Sequence, residues 1–260
     1  MQTYKLITRL KVILSPEHRK TVKRFLISVT GIYHYFRCFI NKHFLLASLI
    51  ENTGKLHLGC GDIRLGGFLN VDYRALPAAD IAHDCTSLDI FPANTFTLVY
   101  ANAFIEHVYR TKIAQTLKEI YRVLAPDGVA LFTCIPDFRA ISMAYLHKKK
   151  GIVSKQFDLF EVYRYTHGDP EQYPDWWQQQ LHKSLFDQQS IEKLLISAGF
   201  DQFCLFSGCF RDEKLPVSLG FAAGKISMGK KFNLPYIRTL LSSVSSEINL
   251  NTIKIKKIFY

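Results

Sequence analysis

Lys55-Leu-His-Leu-Gly59-Cys-Gly61-Asp62, followed by Phe68-Leu-Asn-Val-Asp72, decides how the rest of the chain is read. The first part is a short apolar strand running into a glycine turn. The second is another strand, reached by a brief connection and ending in a carboxylate. Glycines at the carboxyl end of a strand let the backbone approach a ligand closely, because no Cβ intervenes. A carboxylate at the tip of the next strand can accept both hydrogen bonds of a ribose diol. Together they describe a site for an adenosine-containing cofactor. Gly59-Cys60-Gly61-Asp62-Ile63-Arg64 lacks the third glycine of a nicotinamide fingerprint, and no G-x-x-x-x-G-K-[ST] phosphate loop is present.

Strands and helices alternate outward from this stretch. Lys55–Leu58 and Phe68–Asp72 read as strands, then Asp80–Asp84 as a short third and Phe96–Ala101 as a fourth rich in β-branched and aromatic residues. Thr111–Leu124 carries the stripe Ile113, Leu117, Ile120, Tyr121 and Leu124 of a helix, which Ala125-Pro-Asp-Gly128 stops. Val129–Ile135 is apolar on both faces, as a central parallel strand should be. Asp187 caps a helix over Gln188–Ala198 that ends at Gly199, and Asp201–Phe206 and Pro216–Ala223 make an antiparallel pair. This order predicts an open α/β sheet with right-handed crossovers. Residues 137–186, with little clean periodicity, read as an insertion covering the cofactor end of the sheet.

Charge divides the chain differently. Residues 1–50 hold nine Lys/Arg against one acidic residue, a net +8, and residues 225–260 hold seven against one, a net +6. The stretch between them carries −3 of the total +11, so the basicity belongs to the two ends. Basic termini attract phosphate-rich surfaces, either anionic lipid or nucleic acid. Within 20–50, Val22, Phe25, Val29, Tyr33, Phe36, Ile40 and Phe44 form an apolar stripe, with Lys20, Arg24, Ser28, Gly31, Tyr35, Cys38 and Lys42 opposite. His34, Arg37, Asn41 and Lys42 interrupt it, short of the ~18 apolar residues of a spanning helix. Three roles stay open: packing on the chain's own domain, a membrane-surface anchor, or nucleic-acid contact, the last without any RNA-binding aromatic motif or zinc finger. Residues 225–260 read as a tail of low order. Met1–Arg24 has charges throughout and no apolar core, so no signal peptide is expected. The six cysteines form no C-x-x-C pair and no zinc spacing, which points to a reducing, cytoplasmic compartment and to no metal site; a Cys204–Cys209 disulfide is the alternative.

Leu58-Gly59-Cys60-Gly61, Asp72, Asp84, Glu106-His107 and Arg122-Val-Leu-Ala-Pro-Asp-Gly128 together resemble a class I S-adenosylmethionine-dependent methyltransferase. More narrowly, the chain is similar to methyltransferase-domain proteins associated with bacterial polysaccharide and lipopolysaccharide biosynthesis. The short Asp62–Gly67 link, His83-Asp84 and His182-Lys-Ser-Leu-Phe186 are the counterparts of that group's features. The resemblance spans roughly residues 53–224. It implies a Rossmann-like, mostly parallel seven-stranded sheet with a terminal antiparallel hairpin. Residues 1–52 and 225–260 then become a helical extension and a basic tail.

With S-adenosylmethionine as the implied cofactor, Gly59, Cys60 and Gly61 cradle its methionine part and Asp72 its ribose. Asp84 and the Cys85 backbone meet the adenine, and Asn102 and Ala103 line the sulfonium. His57 stands where such enzymes often carry an acid or amide that meets the cofactor's amino group; a core histidine is the alternative. Methyl transfer needs in-line alignment, and an alcohol acceptor also needs a base near neutral pKa. His107, His182 and Asp137 are the catalytic candidates, with His167 and Asp169 behind them and Tyr165, Trp176 and Trp177 as stacking platforms for a sugar face. The expected acceptor is an oxygen of a sugar or glycan precursor. A lipid-head-group or small-molecule methyltransferase at the membrane face is the enzymatic alternative, and a catalytically inactive scaffold in glycan assembly the non-enzymatic one. The oligomeric state is not legible.

Overall fold

Leu56 and Leu58 turn to one face of their strand and His57 to the other, yet all three are buried, because the strand is flanked on both sides. The computed structural model describes residues 16–151, 156–168, 180–210, 213–225, 232–245 and 248–259, with side chains from Val29 onward. Asp169, Tyr173, Trp176 and Trp177 lie outside the described residues, as do the side chains of Val22 and Phe25.

The strands are β1 (Lys55–Leu58), β2 (Leu69–Asp72), β3 (Ile81–Ala82), β4 (Phe96–Asn102), β5 (Leu124–Pro136), β6 (Gln202–Gly208), β7 (Ser218–Gly224) and β8 (Lys254–Phe259). They form one sheet in the order β3-β2-β1-β4-β5-β7-β6-β8. The first five run parallel, and β7 is antiparallel to both β5 and β6. The strand order reverses between β1 and β4. In open α/β sheets, the crevice beyond the carboxyl ends at such a reversal is where ligands bind.

The helices are α1 (Pro16–Phe44), α2 (Leu46–Thr53), α3 (Arg110–Val123), α4 (Phe138–Leu146), α5 (Leu159–His167), α6 (Gln188–Ala198) and α7 (Leu234–Val244). α3 buries Ile113, Leu117 and Ile120 on the sheet face shared by Leu56, Val99 and Phe132. α6 starts on a capping box between Asp187 and Ser190, ends at Gly199 with φ +99°, and covers the same face through Ile191 and Leu195. The helix before the Pro-Asp-Gly turn stops as expected, but β5 begins at once. Leu124 already pairs with Phe96, and the irregular turn sits inside the strand as a register shift.

The other face is closed by a segment whose expected low order is overturned. In α7, Asn233 caps the first turn by accepting from the Tyr236 amide, and Ile237, Leu241 and Val244 pack on Leu98, Leu131, Cys204 and Phe206. β8 then joins β6 antiparallel as an eighth strand, with the Phe259 ring stacked 4.9 Å from Phe203. Lysines along this outermost strand suit an edge that must not recruit another sheet.

α1 docks in the opposite sense from an ordinary amphipathic helix. The Arg37 guanidinium donates to the carbonyls of Leu76, Pro77 and Ala79, and the Asn41 amide to Asp80 O. Cys38 is buried against Cys60, Ala78 and Ala79. The apolar side faces outward: Tyr33, Phe36 and Phe44 are 61%, 57% and 74% exposed. Among the described residues, no helix is long and apolar enough to cross a membrane.

Candidate functional site

A cavity of about 710 Å³ opens at the strand-order reversal, lined by residues after β1, β2 and β4 and by returning segments from far along the chain. Its size suits a cofactor-sized ligand. His57, Gly59, Cys60, Gly61, Asp72, Asp84, Cys85, Asn102, Ala103, His107 and His182 all line it.

The glycine turn is built as its residues require. Gly59 has φ +62°, and a Cβ there would lie 2.8 Å from the Phe104 ring. Gly61 has φ +54° with nothing within 4 Å of a Cβ position, so its bare backbone faces open space. The Gly61 amide donates to Asp72 Oδ2 at 2.9 Å, and the Arg74 amide to Oδ1 at 2.9 Å. The turn and the carboxylate are thus positioned together; Oδ1 also meets Arg74 Nε at 3.4 Å, while Oδ2 keeps acceptor capacity for a ribose hydroxyl. That open cradle beside a carboxylate fits the adenosyl and methionine parts of S-adenosylmethionine.

His57 is both a packed core residue and a cavity residue. Asn70 donates through its amide nitrogen to Leu65 O, Phe68 O and Asp80 Oδ2, so its Oδ1 is the acceptor for the Leu65 amide and for His57 Nδ1–H at 3.1 Å. The imidazole stacks on Tyr100, and burial lowers its pKa. It is neutral, with Nε2 left as an acceptor.

Asp84 closes a turn after β3: Oδ1 accepts from the Thr86 amide and hydroxyl. Its other oxygen lies 3.6 Å from Lys112 Nζ, at the start of α3. Burial alone would raise this carboxyl, but the Thr86 hydrogen bonds and Lys112 outweigh it and hold it below its ordinary value. Past β4, a relay aims Asn102. The Thr133 hydroxyl donates to Asn102 Oδ1 at 2.8 Å and so must accept from Tyr100 OH, which leaves the Asn102 amide hydrogens free for a ligand. Ala103 holds φ +48°, a left-handed conformation uncommon for a residue with a side chain, where the wall bends into the cavity.

The insertion reaches the same end of the sheet. It leaves after β5 and returns where the Lys183 and Ser184 amides donate to Glu106 O at 2.7 and 3.2 Å. This pairing brings His182 against His107, ring centroids 4.9 Å apart and edge to face. His107 Nδ1–H donates to Leu181 O at 3.2 Å, and His182 Nδ1–H to Tyr165 O at 2.8 Å. Burial, with His182 beside it, pushes His107 down to about 4, and burial also lowers His182. Two neutral imidazoles therefore stand on the wall of the cavity that Asn102 and Ala103 also line.

Asp137 is corrected. It caps α4 by accepting from the Arg139 amide and lines a separate depression with Asp187, Glu192 and Lys256. Burial raises its pKa, but it does not border the cofactor cavity. His167 is likewise absent from the cavity wall, with its ring on Tyr163. Sequence reasoning missed Lys112, Lys183 and a wall contributed by Val244, Ser245 and Ile248. The last was hidden because α7 was not foreseen.

Residues 67–132 match the model of a family described as "Methyltransferase domain". No curated protein matches the chain. Among solved structures, the chain is similar to a Thermotoga maritima methyltransferase described as a possible histamine N-methyltransferase. That likeness has 16% identity and TM-score 0.44, over 75% of this chain and 96% of that one. A methyltransferase from Mesorhizobium loti has 20% identity and TM-score 0.42, over 69% and 94%. A Haemonchus contortus phosphoethanolamine N-methyltransferase, solved with S-adenosylhomocysteine, has 15% identity and TM-score 0.43, over 70% and 52%. Likeness at this distance says nothing of substrate. The matched stretch includes Asp72 and adjoins the glycine turn bonded to it, and the two together support an S-adenosylmethionine-dependent methyltransferase.

Proposed function

We propose that the protein methylates an oxygen of a sugar or glycan precursor. The observation that carries this reading is the pair of neutral imidazoles, His107 and His182, at the acceptor end of the cavity. An amine acceptor needs little help once unprotonated, whereas a hydroxyl must be relieved of its proton. Gly59, Gly61 and Asp72 hold the donor, His57 Nε2 accepts from its ammonium, and Asn102 meets the methionine end. Transfer from a sulfonium then asks mainly for in-line alignment. Six unpaired cysteines suit a reducing, cytoplasmic setting.

Calorimetric titration with S-adenosylmethionine, S-adenosylhomocysteine and NAD tests the donor site. The first two bind and NAD does not, and Asp72→Ala weakens binding at least tenfold with an unchanged melting temperature. Nucleotide sugars and lipid-linked sugars, incubated with labelled donor, then test the acceptor. Label on an amine, or on none of these, removes the oxygen reading. Donor binding with no turnover on any acceptor favours the inactive scaffold.

A second reading concerns place. The outward apolar side of α1, with Tyr33, Phe36 and Phe44 exposed, lies on the more basic end of the chain. That combination suits the interface of an anionic membrane, with aromatic rings among the headgroups and lysines toward phosphate. The protein would then work on a lipid-carried glycan, or on a lipid head group, at the inner membrane face. Sedimentation with anionic but not neutral vesicles, lost on removal of residues 1–50, is the expected result. Equal behaviour of both forms, or self-association through α1 instead, ends this reading.

A further inference from the structure

The two imidazoles do not stand alone. Glu106, His107 and His182 each offer a potential ligand atom, and these three atoms all lie within 4.8 Å of one another. Some point therefore lies within about 2.8 Å of all three, so bonds of about 2.0–2.2 Å need a contraction under one ångström. We propose that Glu106, His107 and His182 bind a divalent transition metal of the zinc type, with one position open to the acceptor end of the cavity.

The hydrogen bonds outside the cluster argue for this. Both histidines spend Nδ1–H on a main-chain carbonyl, Leu181 O for His107 and Tyr165 O for His182. A carbonyl only accepts, so each ring is fixed as the tautomer whose Nε2 carries a lone pair. Metal-binding histidines are oriented in this way by a carbonyl or carboxylate behind them. Glu106 is 1% exposed and offers a carboxyl oxygen from the buried side, while the two histidines border the cavity. Three protein ligands with an open side are the arrangement of a metal that meets substrate, not of a structural one. Gly168 leaves room where it is needed: a Cβ there would lie 3.2 Å from His182 Nε2. The neighbouring cation on the cavity wall, Lys183, has its Nζ over the Tyr109 ring, 4.8 Å from the centroid.

The inference deepens the oxygen-acceptor reading and rests on it for its purpose. A metal held by these residues could take the acceptor's oxygen in its open position and ease loss of its proton to solvent, whereas without a metal an imidazole Nε2 would take that proton itself. The chain elements involved are a 3-10 turn after β4 and the return of the insertion, joined by Glu106 O with the Lys183 and Ser184 amides, by His107 with Leu181 O and by the Ser184 hydroxyl with Val108 O.

The full chain, exposed to Zn²⁺ and freed of excess by gel filtration, should retain one zinc per protein by elemental analysis. Co²⁺ in its place should give an intense visible absorption, since low-symmetry nitrogen and oxygen ligation is distinct from hydrated cobalt. Glu106→Gln, His107→Ala and His182→Ala should each lower zinc affinity at least tenfold, and His147→Ala, outside the cluster, should not. Gly168→Ala should weaken binding while every ligand remains. Donor binding and circular dichroism report whether each variant is folded. For any that is not, the wild-type cobalt spectrum decides alone. No retained zinc in the wild type, retention indifferent to these substitutions, or a cobalt spectrum like that of hydrated ion overturns the site. Zinc held without oxygen methylation would leave the site standing and remove the acceptor reading.

Discussion

The two basic ends of this chain meet the same domain in opposite ways. α7 turns Ile237, Leu241 and Val244 into the sheet and joins its core. α1 binds through Arg37, Cys38 and Asn41 and leaves its apolar side in solvent. Both segments carry basic charge and an apolar stripe, so amphipathicity alone says that a helix has two faces, not which one is inward. For α7 the choice follows from the bare apolar face of Leu98, Leu131 and Phe206. For α1 it follows from the carbonyls of buried Ala79 and Asp80, which gain donors from Arg37 and Asn41. An orphaned buried carbonyl costs more than an exposed phenylalanine, and the polar side wins.

The largest effect should come from breaking α7. Leu241 is fully buried, so Leu241→Asp loses apolar packing and buries a charge, a cost of about 3–5 kcal/mol or more. Thermal unfolding should show the melting temperature falling steeply or the cooperative transition disappearing. A shift of only a degree or two would mean that α7 is dispensable. Next comes Arg37→Met, which keeps most of the aliphatic stem and removes the donors to three carbonyls. A local destabilisation of about 1–3 kcal/mol is expected. Hydrogen exchange should rise in α1 and in the Leu76–Asp80 loop, with β4 and β5 unaffected. Uniform exchange would show that α1 belongs to the cooperative core after all.

Smaller still is Phe36→Ser on the exposed side. Its effect on stability should stay within about 0.5 kcal/mol. Sedimentation with anionic vesicles should fall severalfold, which separates a surface used for lipid from one that merely happens to be exposed. The mildest probe changes no residue. Cys38 on the inner side of α1 and Cys204 beneath α7 are both buried, and burial raises both thiols, Cys204 to about 12. Each is therefore protonated and unreactive near neutrality. If α1 opens on its own, Cys38 alkylates first, and the rate climbs about tenfold per pH unit until the ordinary thiol range is reached. Cys204 should wait for global unfolding. Above the ordinary thiol pKa the raised value works against the fold, because the unfolded thiol ionises first, so stability should decline as pH passes 9 toward 12. Equal labelling of the two thiols would erase the distinction between the helices.

The parts of the fold legible in the sequence are those whose signal is local. The glycine turn, the strand ending at Asp72 and the capped helix at Asp187 each carry their own cause within a few residues. α7 was illegible because Pro235, Ser242 and Ser243 dilute its stripe, and the stripe gains meaning only against the sheet face it covers. β8 hides similarly, since Lys-Ile-Lys-Lys looks like a solvated tail until β6 supplies a partner. At the site, Asp72 and Gly61 could be named because they are neighbours in sequence. The meeting of Glu106 with His182 could not be deduced from spacing, because main-chain pairing across the insertion creates it. Asp137 misled for the same reason: the end of a strand is a favoured place for a functional acid and equally for a helix cap.

The cavity wall made by Val244, Ser245 and Ile248 has a consequence in time. During synthesis, β1 to β7 leave the ribosome before these residues do, and domains tend to assemble in that order. The nascent sheet can therefore present its glycine turn and Asp72 while the enclosure beside them is still unbuilt. Donor capture and full enclosure become successive events, and a chain interrupted after β7 would emerge as an open cup.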